Sequence, residues 1–294
     1  MRGPRGRGTE VLRRTFIHIP GIGAKTERAL WKRGVRTWED LLLWGGRFLP
    51  PPARDLAQSK VEESARRLAL EDVGFFGRSL PHRELWRIFR EFRHRVAYLD
   101  IETTARPGGG CEITTVALYD GQSLRTYIRG ENLWEFPQDV MGYKILVTYN
   151  GRCFDLPILR ESLRARLDHV HIDLRFLLSA LGFRGGLKGC ERAMGIERGD
   201  LENVDGYFAV LFWEDYLRTE DPRALETLLA YNSADAVNLE RLMVKAYNMK
   251  VLETPFGEEL LMDVPPPHPI PFKPDKGIIE RARERISASK RASN

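Results

Sequence analysis

The stretch Val96-Ala97-Tyr98-Leu99-Asp100-Ile101-Glu102 constrains this chain more than any other. Its apolar, β-rich composition predicts a buried strand, yet it carries two carboxylates. Side chains alternate across a strand, so Asp100 and Glu102 project from one face. Two like charges at that spacing repel, and burying them unpaired is costly. Something must hold the pair: a cation, for which a divalent metal is the economical choice, or else arginine and backbone donors at a sheet end.

The 294 residues, 43% of them hydrophobic, can build one large domain or two modest ones. No apolar run reaches bilayer length, and Met1-Arg-Gly-Pro-Arg-Gly-Arg-Gly lacks the apolar core of a signal peptide. Cys111, Cys153 and Cys190 are scattered without a CxxC pair, which argues against a disulfide scaffold or zinc knuckle and is read as buried free thiols. The expectation is an intracellular, cytoplasmic setting that keeps thiols reduced, without membrane association. The net charge of +5 is uneven. Residues 1–92 hold 19 Lys and Arg against 11 Asp and Glu, or +8, whereas residues 93–250 hold 20 against 23, or −3. One part gathering a polyanion and another acting on it would produce that asymmetry. A solvated basic arm over residues 1–15 accounts for some of it.

Phe16 to Leu43 reads FIHIPGIGAKTERALWKRGVRTWEDLLL. A helix is predicted from about Ala24 to Arg33 with Ala29 and Leu30 inward. Gly34 stands where a helix end wants positive φ, and Thr37 with Asp40 three residues on reads as the start of another helix. The Pro20-Gly21-Ile22-Gly23 turn with Ala29, Leu30, Gly34, Thr37 and Asp40-Leu41-Leu42 resembles a helix-hairpin-helix motif over residues 16–44. The resemblance implies sequence-independent contact with a nucleic-acid backbone, usually DNA, through Gly21, Ile22 and Gly23 and an adjacent charge on Lys25. Residues 45–92 read as a helical connector: a helix over Arg54–Leu70 with Leu56, Val61, Ala65 and Leu68 apolar, and a second one carrying Leu85, Trp86, Ile88, Phe89 and Phe92.

From residue 93 the pattern changes to alternating strands and helices. After the Asp100 strand come Glu112–Tyr119, the hairpin signal Asp120-Gly121, Leu124–Ile128 and a fourth strand, Ile145–Tyr149, ending in Asn150-Gly151-Arg152-Cys153-Phe154-Asp155. His171-Ile172-Asp173-Leu174 follows, with Asp173 read as a helix N-cap, then Gly185-Gly186-Leu187-Lys188 and a long helix over Ala224–Ala246. Tyr231 and Asp235, four apart, share one face of that helix.

Asp100-x-Glu102, the Asn150-Gly151-x-x-Phe154-Asp155 turn and Tyr231-x-x-x-Asp235 resemble the three exonuclease motifs of the DEDD superfamily, across residues 93–250. The tyrosine subgroup matches; the histidine subgroup has His where this chain has Ala230. The resemblance implies an α/β RNase H-like mixed sheet flanked by helices, here preceded by the small all-α hairpin module. It implies a 3′–5′ exonuclease with Asp100, Glu102, Asp155 and Asp235 as metal ligands and catalytic carboxylates, and Tyr231 orienting the attacking water. Asn150 and Phe154 would position terminal nucleotides, and Lys188 would meet a phosphate. Four carboxylates suit two divalent ions, and hard oxygen donors favour Mg2+ or Mn2+. Nucleic acid is the expected partner, DNA favoured and RNA open. A structure-selective endonuclease, or an adaptor on a decayed nuclease fold, are the alternatives. The Pro-rich tail, residues 251–294, reads as an extended arm or a peptide for a protein partner.

Overall fold

The computed structural model describes residues 10–104 and 111–292. Residues 1–9, and with them most of the expected basic arm, lie outside the described residues. The arm stops short of residue 15: Val11, Leu12 and Thr15 are buried, and the backbone N–H of Val11 donates to Glu91 at 2.5 Å.

Five strands form one mixed sheet: β1 (Val96–Thr103), β2 (Ile113–Tyr119), β3 (Leu124–Ile128), β4 (Ile145–Thr148) and β5 (Val170–Asp173). The order is β3-β2-β1-β4-β5. β2 runs antiparallel to β1 and β3; β4 runs parallel to β1 and β5. The β2–β3 turn closes because the Asp120 carboxylate accepts the N–H groups of Gln122 and Ser123, with Gly121 at φ +90°. Pairing of β1 with β4 ends at Tyr98 opposite Val147, while pairing with β2 continues through Glu102 opposite Thr115 and, past a bulge, to Thr103 opposite Ile113. The C-terminal half of β1 therefore lacks a neighbour on the β4 side, and that gap holds Asp100 and Glu102.

Alternation along β1 sorts its side chains. Ala97, Leu99 and Ile101 pack with Val116, Leu118, Phe136 and Leu159 on one face. Tyr98 belongs to the opposite face, with Ile145, Val147 and Leu239. Asp100 and Glu102 continue the Tyr98 row. That face is covered by a 31-residue helix, Pro222–Leu252, which starts on the N-cap Asp221 with Pro222 in the first turn. It is buried nearly all round, polar groups such as Asn232, Asp235, Asn238 and Glu240 included.

The twelve α-helices among the described residues are, in chain order, α1 (Ala24–Lys32), α2 (Trp38–Leu43), α3 (Pro51–Ala69), α4 (Val73–Ser79), α5 (Phe89–Phe92), α6 (Phe136–Asp139), α7 (Asp155–Leu163), α8 (Leu174–Ala180), α9 (Gly186–Ala193), α10 (Gly206–Thr219), α11 (Pro222–Leu252) and α12 (Lys276–Ala292). Thr37 and Asp40 form a reciprocal capping box at α2, and Gly34 has φ +85°. Two features of the connector differ from the sequence expectation. His82–Ile88 is a 3-10 turn followed by the single turn α5, so the second apolar segment is not one helix. Its i, i+3 pair Leu85 and Ile88 eclipses inward, which a 3-10 turn allows. In α3 the buried row is Ala53, Ala57 and Val61, with Leu56 exposed. The N-terminal helices share one apolar cluster with the sheet and α11, running from Val11 to Leu260, and Trp31 meets Phe256 edge to face at 5.3 Å.

The tail is not an extended arm throughout. α12 lays Ile278, Ile279 and Ala282 against α10 and α11, and Arg281 bridges Asp215 and Asp221. Upstream, the Asp275 N–H donates to Thr227 at 2.9 Å, and His268 stacks on Tyr119 at 4.8 Å. The stripe is only three residues wide within a charged helix, so composition hides it. Ile279→Asp is expected to destabilise the protein by roughly 2–4 kcal/mol, because it puts an unpaired carboxyl in that seam; an unchanged thermal melt would show that α12 does not dock. Cys190 is buried, as expected, but Cys111 is half-buried and Cys153 exposed, all three as free thiols.

Candidate active site

A cavity of about 850 Å3 opens at the C-terminal ends of β1 and β4, the usual place for a ligand on parallel strands. Asp100 and Glu102 reach it from β1, and Tyr231 and Asp235 from α11. Asp155 arrives from the first turn of α7. One carboxylate oxygen each from Asp100, Glu102 and Asp235 fall within 4.8 Å of one another. Asp155 shares the cavity but stands outside that trio; the backbone N–H groups of Ile101 and Asp155 lie against its carboxyl.

The carboxylates differ in electrostatic state. Burial and the neighbouring negative charges push Asp100 and Glu102 well above the ordinary carboxylate range. Burial pushes Asp155 up to about 7. Asp235 is also buried, but Lys188 and Arg198 outweigh that and hold its carboxyl below the usual range. Asp100 accepts from the Asn232 amide at 2.7 Å. A divalent cation fits this donor set: three carboxylate oxygens, Asp235 buried and the other two partly so, lie within 4.8 Å of one another, and among the described residues no side-chain cation pairs with Asp100 or Glu102.

Lys188 lines the cleft, where its ammonium is held by the protein's own groups. Its ammonium bonds Asp235 and lies 4.4 Å from the centre of the Tyr231 ring. Behind it, Arg198 forms an ion pair with Asp235 at 2.5 Å and donates to both Glu191 oxygens at 2.8 and 3.0 Å, while Asn238 donates to Glu191 at 2.8 Å. Sequence reasoning missed Arg198, Glu191, Asn232 and Asn238. No local pattern marks Arg198; only Asn232, next to Tyr231, could have been suspected. Burial, with the adjoining carboxylates, drives the Tyr231 phenol far above its ordinary value, so it is a donor at neutral pH.

The turn after β4 is built by two residues. Asn150 takes φ +67°, a conformation asparagine tolerates better than most residues. At Gly151 a Cβ would sit 2.2 Å from the Thr148 hydroxyl, so only glycine fits. Asp173 accepts the N–H groups of Asn150, Arg152 and Arg175, acting both as N-cap of α8 and as anchor of this turn. The Asn150 side-chain oxygen accepts from Arg175 at 2.5 Å, and Phe154 stands 40% exposed at the mouth.

Far along the chain, Gly21 and Gly23 are exposed, with Gly21 at φ +85°, and Lys25 is exposed beside them. Ile22 is buried at 3% and its N–H donates to Ile19, so its side chain belongs to the core and its N–H is already engaged. The hairpin borders a cavity of about 650 Å3 whose rim carries Lys60 and Arg78.

This sheet order, with carboxylates on the central strand facing Asp235 on a long helix, defines an RNase H-like α/β protein. Residues 97–247 match the model of the RNase_H superfamily, and the chain belongs to that superfamily. It is 31% identical over 111 residues to a Bacillus subtilis (strain 168) protein named only as uncharacterized protein YprB. The match covers 34% of this chain and 26% of that relative. The family B DNA polymerase of the hyperthermophilic archaeon Pyrobaculum calidifontis resembles 53% of this chain at TM-score 0.39 and 19% identity, over 24% of the polymerase chain. At that score the likeness carries no argument. Among the described residues, no helix is long and apolar enough to cross a membrane.

Proposed function

We propose that the protein is a metal-dependent 3′–5′ exonuclease that hydrolyses phosphodiester bonds, with DNA favoured over RNA. One observation carries the reading: three carboxylate oxygens from β1 and α11 within 4.8 Å in the RNase H-like cleft. Asp100, Glu102 and Asp235 would hold Mg2+ or Mn2+, with Asp155 beside them for a second ion. Such ions neutralise charge on the scissile phosphate and make a bound water nucleophilic. The chain's own groups do the positioning. Asn232 fixes the Asp100 rotamer, Lys188 and Arg198 fix Asp235, and Tyr231 offers its O–H to the attacking water. Phe154 offers a face on which a terminal base can stack. The 3′–5′ polarity follows from the motif resemblance, and the DNA preference from the hairpin at Gly21–Gly23 and Lys25.

Tyr231→Phe is expected to leave nucleic-acid affinity unchanged while lowering turnover about 10- to 100-fold, short of the full effect of a proton-transfer group. Unchanged turnover would remove Tyr231 from the chemistry. The test of the whole reading uses 5′-labelled DNA and RNA oligonucleotides with Mg2+, Mn2+ or chelator, and Asp100→Ala as control. A ladder shortening from the 3′ end supports it; cleavage of circular single-stranded DNA points to an endonuclease instead. A second reading, a nucleic-acid-binding module without catalysis, is favoured by Lys188 and Arg198 already neutralising Asp235. Binding without metal-dependent cleavage would select it.

A further inference from the structure

A second cavity, of about 540 Å3, shares a wall with the acidic cleft. Helix α8 turns Arg175 and Ser179 toward the cleft and Phe176, Leu177 and Ala180 toward the second cavity. The turn after β4 divides likewise: Asn150 and Phe154 line the cleft, Arg152 the other side. The opposite wall comes from the connector, through His82, Arg83 and Trp86, and from Lys250 near the end of α11.

The charge in this cavity is one-sided. Arg83, Arg152, Arg160 and Lys250 line it against two carboxylates, Glu84 and Asp173. Both carboxylates already have partners, and those of Glu84 include the lining Arg83 at 3.9 Å. Glu84 binds Arg87 at 2.9 Å, and Asp173 accepts three backbone N–H groups. Arg160 donates one N–H to the Leu167 carbonyl and Lys250 pairs with Glu253. Among the described residues, the side chains of Arg152 and His82 have no partner. Both signs of charge bear on His171: burial pushes it down to about 4, Asp173 draws it up, and Arg160 and Arg152 push it down further.

Beside the cations stands a flat apolar surface. Phe176 is 52% exposed, a large aromatic face left in water, and Ile172 and Leu177 continue it inward. The complementary ligand is an anion with a planar, partly apolar body. Guanidinium groups match phosphate oxygens in pairs, an aromatic face takes any base, and the volume lies in the range of small-molecule sites. We propose that this cavity binds a nucleoside monophosphate, with the phosphate on Arg152 and Arg160 and the base on Phe176. The choice of a nucleotide among flat anions rests on the nuclease reading of the adjoining cleft, which would release that product.

The test is isothermal titration of the full chain with 5′-AMP in the presence of chelator, so that cleavage is not the readout. Saturable one-to-one binding is expected. Arg152→Glu should weaken it at least about tenfold, the scale of one charge-assisted contact. Phe176→Ala should weaken it severalfold, and Asp100→Asn should leave it unchanged. Inorganic phosphate should bind at least about tenfold more weakly than AMP, for want of a base to stack. Both altered side chains are exposed, and a thermal melt checks that each variant folds. No saturable binding would overturn the proposal. So would binding that survives Arg152→Glu but is lost in Asp100→Asn, or equal affinity for phosphate and AMP. A protein that binds AMP in this pattern yet cuts nothing would sink the nuclease reading and leave the pocket standing. A protein that cuts but shows no such binding would do the reverse.

Discussion

Asp100→Asn is expected to raise the melting temperature of the metal-free protein by a few degrees while lowering cleavage about a thousandfold or more. Asp235→Asn should lower both. The two carboxylates have oxygens within 4.8 Å of each other, so opposite signs would be informative. Asp100 is buried against other carboxylates, and its charge is opposed by them. An amide of the same shape removes that repulsion and can still accept from Asn232. Asp235 is the reverse case, holding Lys188 and the buried Arg198. Taking its charge away leaves those cations short of a counter-charge, at roughly 3 kcal/mol, the low end for breaking a buried pair because Lys188 can swing outward. The activity loss in both follows from losing an ion ligand worth several kcal/mol of charge stabilisation, at about 1.4 kcal/mol per tenfold. Melts in chelator beside the oligonucleotide assay measure both; equal stability changes would overturn the electrostatic account.

A pH dependence follows from the same cluster. The Asp155 carboxyl titrates near 7 in the folded chain and near 4 when unfolded. The folded state then binds the proton more tightly, so stability must fall as pH rises from about 4 through 7 and level off above. With Asp100 and Glu102 shifted the same way, the metal-free melting temperature should decline from pH 5 to pH 8. Saturating Mg2+ should flatten the decline, since it binds the deprotonated folded site. A metal-free melting temperature that rises over that interval would contradict the burial of these groups without a cation.

The first strands of the sheet were legible because β1 and β2 are apolar and β-rich and because Asp120-Gly121 marks the turn between β2 and β3; the mixed order came only with the resemblance to the RNase H-like fold. The RNase H-like class was legible for a different reason: the acidic spacing at Asp100, Glu102 and Asp235 has a recognisable pattern. What stayed hidden was tertiary. Lys188 reads as a phosphate contact, and only the placement of α9 shows its ammonium on Asp235. Arg198 lies in a loop with no period to mark it, and its partners are Glu191, seven residues back, and Asp235, 37 residues on. The docking of α12 hides because its contact stripe is short and its salt bridges reach Glu214, Asp215 and Asp221, distant in sequence. Local pattern reports which face is apolar; it does not report what covers that face.

Arg87→Met is expected to destabilise the protein by about 3–5 kcal/mol, a larger cost than any loop or surface substitution would carry. Glu27, 1% exposed on α1, and Arg87, 5% exposed in the connector, form a two-pronged ion pair with contacts of 2.8 and 3.2 Å. The pair is also a junction. Glu27 accepts the N–H groups of Phe16 and Ile17, and Arg87 donates to Glu84 and Thr15 and lies beside the rings of Trp31 and Trp86. Three stretches of chain therefore meet on one guanidinium, among them the segment entering the Gly21 hairpin. Methionine keeps much of the volume but leaves a buried carboxylate with backbone donors alone. Glu27→Gln should cost less, because the amide oxygen still accepts from Phe16. The double variant Glu27→Gln, Arg87→Met should cost well under the sum, because neither side then buries an unpaired charge. Urea denaturation of the four proteins measures the coupling. Additivity within about 0.5 kcal/mol would mean that the two charges are independently solvated and that the hairpin is fixed by apolar packing alone. A coupling of about 1.5 kcal/mol or more would assign the hairpin's placement to this pair, and the Arg87→Met protein should then also lose nucleic-acid affinity while cleaving at the same positions.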